Sequence, residues 1–222
     1  MDYNLIRTLA DYEEYAGNTG ALSRAITDGI VQYKLPDEIF PGVFVGYDPA
    51  KDRDRSALVI LEQPVPTDEN PCPKLLLRAK KNYKGMRFSE QRAQIETLDK
   101  LHSFTSMAMD STRHEETAEQ LQDYMGSRLI PIKFSKPVKA NMLTNVLKVL
   151  QDGILEMDPT HAYHDLLRKE LHELDPNTLK HPQTSAGSDD FVWALALAVA
   201  AIVQREVSQR VESGFSNDRL VF

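Results

Sequence analysis

Cysteine is almost missing from this chain: Cys72, set between Pro71 and Pro73, is the single one in 222 residues. A lone thiol cannot close an internal disulfide and no zinc-type spacing is present, so a reducing compartment is expected. Long apolar runs are missing as well. The most apolar stretch, Phe191 to Val203, is too short to span a bilayer and reads as a buried core helix, with no membrane role. The first residues, Met1-Asp2-Tyr3-Asn4, carry no basic region followed by an apolar core, so no secretory signal is expected. No G-x-x-x-x-G-K-[ST] phosphate loop occurs, which excludes a recognisable ATPase motor. Repeats and low-complexity tracts are absent. Basic excess is missing too. With 26 Lys and Arg against 33 Asp and Glu, a formal net charge of -7 excludes a uniformly basic surface and leaves room for a local basic groove.

What is present is the composition of an ordinary globular chain, long enough for one domain with a short appendage. Residues 1–40 read as an N-terminal arm or linker, with helical spacing in Tyr3 to Tyr15 and a second short helix in Ala21 to Val31. Residues 41–213 read as the main domain and 214–222 as a tail. Within the domain, Val43 to Asp48 and Ser56 to Leu61 are apolar, β-prone runs joined by a charged turn, hence an antiparallel hairpin. Lys74 to Ala79 reads as a third strand. Ser89 is a suitable N-cap for a helix through Leu101. Then come a strand from Phe104 ending on Asp110, a helix from Glu115 to Met125, a strand from Leu129 to Phe134 and a helix from Lys136 to Leu150. Ile154 to Met157 reads as a short edge strand. A helix to Leu174, a polar loop and an Ala-rich helix from Asp189 to about Val211 close the domain.

Three strands able to form an antiparallel meander, then two strands each reached through a helix, predict an α/β mixed sheet. Strands 1–3 are antiparallel, strands 4 and 5 are parallel, and helices cover both faces: the ribonuclease-H-like topology. Strands one and four are then central neighbours, and Asp48 and Asp110 end them. Asp189 and Asp190 open the last helix, which can pack across the same sheet. Converging carboxylates suit Mg²⁺ or Mn²⁺, which prefer hard oxygen ligands. Two such ions can activate water and stabilise a leaving oxygen in phosphodiester cleavage. Each acid has a plainer reading beside this one. Asp at a strand end forms turns, Asp110 can cap the helix that follows, and Asp189 and Asp190 can be an N-cap and its neighbour.

The residues from Lys74 to Arg92 include Lys80, Lys81, Lys84 and Arg87, a basic run suited to phosphates in an otherwise acidic chain. The alternative is a solvated face, which charge runs usually are. Lys139, at the start of a helix, is a further phosphate candidate. The six histidines are scattered without metal spacing. His114, close in sequence to Asp110, is a secondary candidate for activating water, and Glu115 for assisting a metal.

Val43-Phe-Val-Gly-Tyr-Asp48-Pro-Ala-Lys-Asp-Arg-Asp-Arg-Ser-Ala-Leu-Val-Ile-Leu61 resembles the first nuclease motif of the large terminase subunits of tailed bacteriophages. Met109-Asp110-Ser111-Thr112 resembles their second motif. Ser188-Asp189-Asp190-Phe-Val-Trp-Ala-Leu-Ala-Leu-Ala resembles the closing one, with Ile130 to Ser135, Lys139 and Asp152-Gly153 following in the family's order. The resemblance covers about residues 42–205. It implies a ribonuclease-H-like endonuclease that cuts concatemeric double-stranded viral DNA during packaging, with Mg²⁺ or Mn²⁺ in what is expected to be a two-metal site. Asp48, Asp110 and Asp190 are the implied catalytic metal ligands, with Asp189 a second candidate in the closing motif. Implied partners are a terminase ATPase domain, a small terminase subunit and a portal, in the cytoplasm of an infected host cell. Arg113, His114 and Glu115 stand where the family usually has glycines, which leaves the shape of that loop open. The family's N-terminal ATPase has no counterpart, so the motor is expected on a separate chain or a longer parent polypeptide. Two rival readings remain: a nuclease of the Holliday-junction resolvase kind, and a non-catalytic DNA-binding or assembly module of a packaging motor.

Overall fold

The two apolar runs either side of residues 51–55 form an antiparallel hairpin, β1 (Gly42–Asp48) and β2 (Ser56–Gln63), with Asp48 opposite Ala57. A computed structural model of the protein describes residues 39–50, 56–157, 163–174, 179 and 190–212, apart from the side chains of 164, 168 and 205–212. Both strands are apolar along most of their length, as strands covered on both faces are. β3 (Leu75–Tyr83) continues the meander antiparallel to β2, with a bulge opposite Ile60 and Leu61 that makes Arg78 the extra residue.

Helix α1 (Phe88–His102) then carries the chain to β4 (Ser106–Asp110), which lies parallel to β1. Helix α2 (Glu115–Met125) and a single 3₁₀ turn (Gly126–Arg128) lead to β5 (Leu129–Ile132), parallel to β4. Helix α3 (Lys136–Gln151) is capped by Ser135, whose hydroxyl accepts the Val138 N–H at 3.4 Å, and Pro137 sits in its first turn. The two-residue β6 (Leu155–Glu156) pairs with β3 in parallel, followed by α4 (Tyr163–Glu173) and α5 (Asp190–Glu212). The sheet order is β5-β4-β1-β2-β3-β6. The expected α/β mixed sheet, antiparallel in strands 1–3 and parallel in strands 4 and 5, is what forms.

Strand alternation divides the core in two. Val45, Tyr47, Leu58, Ile60, Met107 and Met109 pack against α1 and α2. Phe44, Ala57, Val59, Leu61 and Ala108 pack against α3 and α5. Helix α5 is buried on nearly every side from Phe191 to Val203, between the sheet and α3 and α4, which is why it shows no polar stripe there. Its alanines let it lie directly on β1, where a Cβ on Gly46 would overlap the backbone of Ala194 and Ala198.

Some boundaries differ from expectation. β3 runs on to Tyr83, so Lys80 and Lys81 are strand residues and Tyr83 is buried. β5 stops at Ile132. Helix α1 begins at Phe88 and not after Ser89: Arg87 is extended (φ -67°, ψ 151°), and its N–H donates to Glu90 Oε2 at 2.9 Å, closing the turn from the N-terminal side. The helices expected in residues 3–15 and 21–31, Asp189, most of the 175–188 loop and the tail lie outside the described residues. Among the described residues, no helix is long and apolar enough to cross a membrane.

Candidate metal centre at the carboxyl end of the sheet

β1 and β4 run side by side with Gly46 beside Ala108 and Tyr47 beside Met109. One residue further, Asp48 and Asp110 end the two strands next to each other. Paired strands stand about 4.8 Å apart, so the two backbones deliver their carboxylates to one place. Alternation also fixes the face. Tyr47 and Met109 belong to the α1 side, so Asp48 and Asp110 project toward the α5 side. Both are partly exposed.

Helix α5 reaches the same end. It crosses β1 at Ala194 and Ala198 over Gly46, and further back the Ser106 hydroxyl donates to the Ala201 carbonyl at 3.0 Å. The helix therefore runs against the strand direction, with its N-terminus toward the strand ends. From Ala194 back to Asp190 is about 6 Å of helix at 1.5 Å per residue. From Gly46 on to Asp48 is about 6.6 Å of strand. Asp190 thus arrives level with Asp48 and Asp110. It is only 7% exposed, and its Oδ2 is buried.

Thr112 holds the Asp110 carboxylate. The Thr112 N–H donates to Asp110 Oδ1 at 2.8 Å and the Thr112 hydroxyl donates to the same oxygen, while that hydroxyl accepts the Phe134 N–H at 2.7 Å. The Phe134 ring packs on Trp193, 5.7 Å between centroids, and Lys139 Nζ lies 4.0 Å from the Trp193 centroid and 5.0 Å from that of Phe134. A lysine charge is therefore anchored one helical turn from Asp190. Among the described residues, no three of Asp, Glu, His and Cys stand close enough to form a ready cage. The acids share one end of the sheet, and Asp110 spends Oδ1 on its own turn. As a donor set, three carboxylates without thiolate or imidazole fit a hard divalent cation.

The basic run divides between surfaces. Lys80, paired with Val59, lies on the α5 side with Nζ 5.2 Å from the Phe191 ring centroid. Lys81, paired with Leu58, belongs to the opposite face, and Lys84 and Arg87 are exposed beyond the strand. Arg78 and Arg92 are ion-paired with Glu62 and Glu96. His114 is buried, edge-on to the Phe88 ring at 5.1 Å between centroids, which places it in the packing of α1. Glu115 is exposed and ion-paired to Lys133 at 2.7 Å, whose hydrogen bond and charge hold its carboxyl below the usual range.

One acid escapes a reading by motif. Glu170 of α4 is 3% exposed, and its Oε2 accepts the Val192 N–H in the first turn of α5 at 2.9 Å. Burial pushes its carboxyl up to about 7, opposed by the Val192 N–H and the charge of Lys80 and reinforced by the charge of Asp190. Its signal in the sequence was an acid inside the apolar stripe Tyr163, Leu166, Leu167, Leu171 and Leu174.

A family model described as the terminase ribonuclease-H-like domain matches residues 45–201. The chain belongs to that family. The large terminase nuclease of thermophilic phage G20c with bound magnesium superposes with a TM-score of 0.56 at 20% identity, covering 77% of this chain and 85% of that one. The nuclease domain of the Thermus phage P74-26 large terminase gives 0.54 at 18% identity, over 76% and 87% of the two chains. The bacteriophage HK97 large terminase gives 0.50 at 15% identity, over 86% of this chain and 50% of that one. No curated protein matches the sequence significantly.

Proposed function

We propose that this protein is a divalent-metal-dependent endonuclease that cleaves double-stranded DNA during viral genome packaging. The observation that carries the reading is the meeting of Asp48 and Asp110 at the ends of adjacent parallel strands, on the face where α5 begins at Asp190. The magnesium in the G20c relative supports the same ion class here. Asp48, Asp110 and Asp190 would hold one or two Mg²⁺ or Mn²⁺ ions, with Asp189, which precedes Asp190 in the sequence, as a further ligand candidate. Bound there, the ions would activate the attacking water and stabilise the leaving oxygen.

The chain's own residues supply position and charge. Thr112 fixes the Asp110 carboxylate, and Gly46 lets α5 approach closely enough to bring Asp190 level. Lys139, held by Trp193 and Phe134, offers a positive charge to a phosphate at the site. Lys80, Lys81, Lys84 and Arg87 line the approach on two sides of β3, so DNA would lie across the strand end and not along one basic stripe. The partners are an ATPase motor, a small terminase subunit and a portal, in the cytoplasm of the infected cell.

Supercoiled plasmid incubated with the protein and Mn²⁺ tests this. Nicked and linear products from wild type, and none from Asp48→Asn or Asp110→Asn, are expected. DNA binding without cleavage by wild type would instead favour an assembly module, and preference for four-way junctions by a dimer a resolvase.

A further inference from the structure

The apolar stripe of α4 would be completed by a leucine at position 170, yet the residue is Glu170. A buried carboxylate is costly unless it is hydrogen-bonded. Glu170 meets that condition across an element boundary, by accepting the Val192 N–H at 2.9 Å. Val192 is the third residue of α5, and first-turn amides have no acceptor within their own helix. A negative charge there also faces the positive end of a 23-residue helix. Two more contacts hold the same turn. The Tyr163 ring meets the Phe191 ring at 5.8 Å between centroids, and Lys80 lies over Phe191 from the sheet side. Residues 190–192 are thus clamped between α4 and β3.

We propose that Glu170 is a positioning residue: by binding the first turn of α5 it holds Asp190 level with Asp48 and Asp110. This rests on the reading of Asp190 as a metal ligand. Glu170 acts through the backbone of α5, so the hydrogen-bond acceptor matters more than the charge, and a glutamine can replace it.

The test uses the whole chain with Glu170→Gln, Glu170→Ala and Glu170→Leu, the last restoring the apolar stripe should the alanine variant fail to fold. Three quantities are read: the melting temperature in EDTA, the rise in melting temperature on adding Mn²⁺, and the Mn²⁺ concentration for half-maximal plasmid nicking. Glu170→Ala and Glu170→Leu should need about tenfold more Mn²⁺ and show a smaller Mn²⁺-induced rise, whereas Glu170→Gln should stay within about threefold, as for residues that support metal ligands. A lowered melting temperature in EDTA with an unchanged Mn²⁺ requirement would overturn the proposal, leaving only a structural acid. Glutamine behaving like alanine would overturn it too, because the charge itself would then be what matters. Wild type stabilised by Mn²⁺, with the effect lost in Asp190→Asn but no nicking, would refute the nuclease reading and leave the positioning role standing. Nicking by wild type with an unshifted Mn²⁺ requirement in Glu170→Leu would refute the positioning role alone.

Discussion

Gly46 of β1 lies directly against Ala194 of α5, so close that a Cβ on the glycine would overlap the alanine's carbonyl oxygen. The neighbouring obstacle is backbone, which cannot swing aside as a side chain does. Gly46→Ala should therefore lift α5 and cost about 3 kcal/mol, the upper part of the usual overpacking range. Urea unfolding measures it, and a loss below about 0.5 kcal/mol, the scale of neutral surface changes, would show that α5 does not bear on β1. Because Asp190 rides on the same helix, Mn²⁺-dependent nicking should fall even where the variant stays folded.

Asp48→Asn and Asp110→Asn remove charge from partly exposed strand ends without opening a cavity. Folding should be retained, by thermal melting, while nicking drops on the order of 10²–10³-fold or more, as when a group acting on transition-state charge is lost. Cleavage that survives either change would place the chemistry elsewhere.

Much of this was legible in the chain, for identifiable reasons. β1, β2 and β4 are covered on both faces, so they stand out as unbroken apolar runs, and their order with the intervening helices fixes the sheet. The acids at 48 and 110 are visible because each ends such a run. The sequence pattern ends β3 at Ala79 because the charged pair Lys80-Lys81 that follows reads as a solvated face. In the fold Lys80 points to the α5 side, lodged over Phe191, while Lys81 joins the other face. Ser89 has the better capping chemistry, yet α1 starts at Phe88, whose ring packs on His114; a tertiary contact overrides the local preference. Thr112 and Glu170 work through partners distant in sequence, Phe134 and Val192, and only the fold brings those together.

Arg128 and Asp99 form a bidentate pair at 2.8 and 2.9 Å that ties the turn before β5 to the end of α1. Burial works to raise the Asp99 carboxyl, but the Arg128 hydrogen bonds and charge and the Phe104 N–H outweigh it and hold it below the usual range. Its folded value is thus below its unfolded one. The resulting stability is present above the unfolded carboxyl range, about pH 4, and is lost as pH falls through the folded value. Arg128→Ala should cost about 2 kcal/mol at pH 7, a figure kept modest because the arginine is partly exposed. The wild-type and variant stability curves should converge in acid. Parallel curves would mean that the charge pairing contributes nothing.

Lys84 and Arg87 are exposed beyond the end of β3. If both neutralise phosphates, the double variant Lys84→Ala/Arg87→Ala should lower the slope of log affinity against log salt by about 1.8, at about 0.9 per contact. Fluorescence anisotropy with duplex DNA measures the slope; no change would return both residues to the solvated surface. Given a net charge of -7, the chain alone should bind and cut weakly and without sequence preference. Tight, site-specific cutting in the absence of a motor would contradict this.

Anomalous diffraction from a crystal soaked in Mn²⁺ reaches the central claim most directly. A peak shared by the carboxylates of Asp48, Asp110 and Asp190 is the predicted result. Ordered side chains with no manganese between them, or manganese bound where fewer than two of these acids contribute, would contradict it.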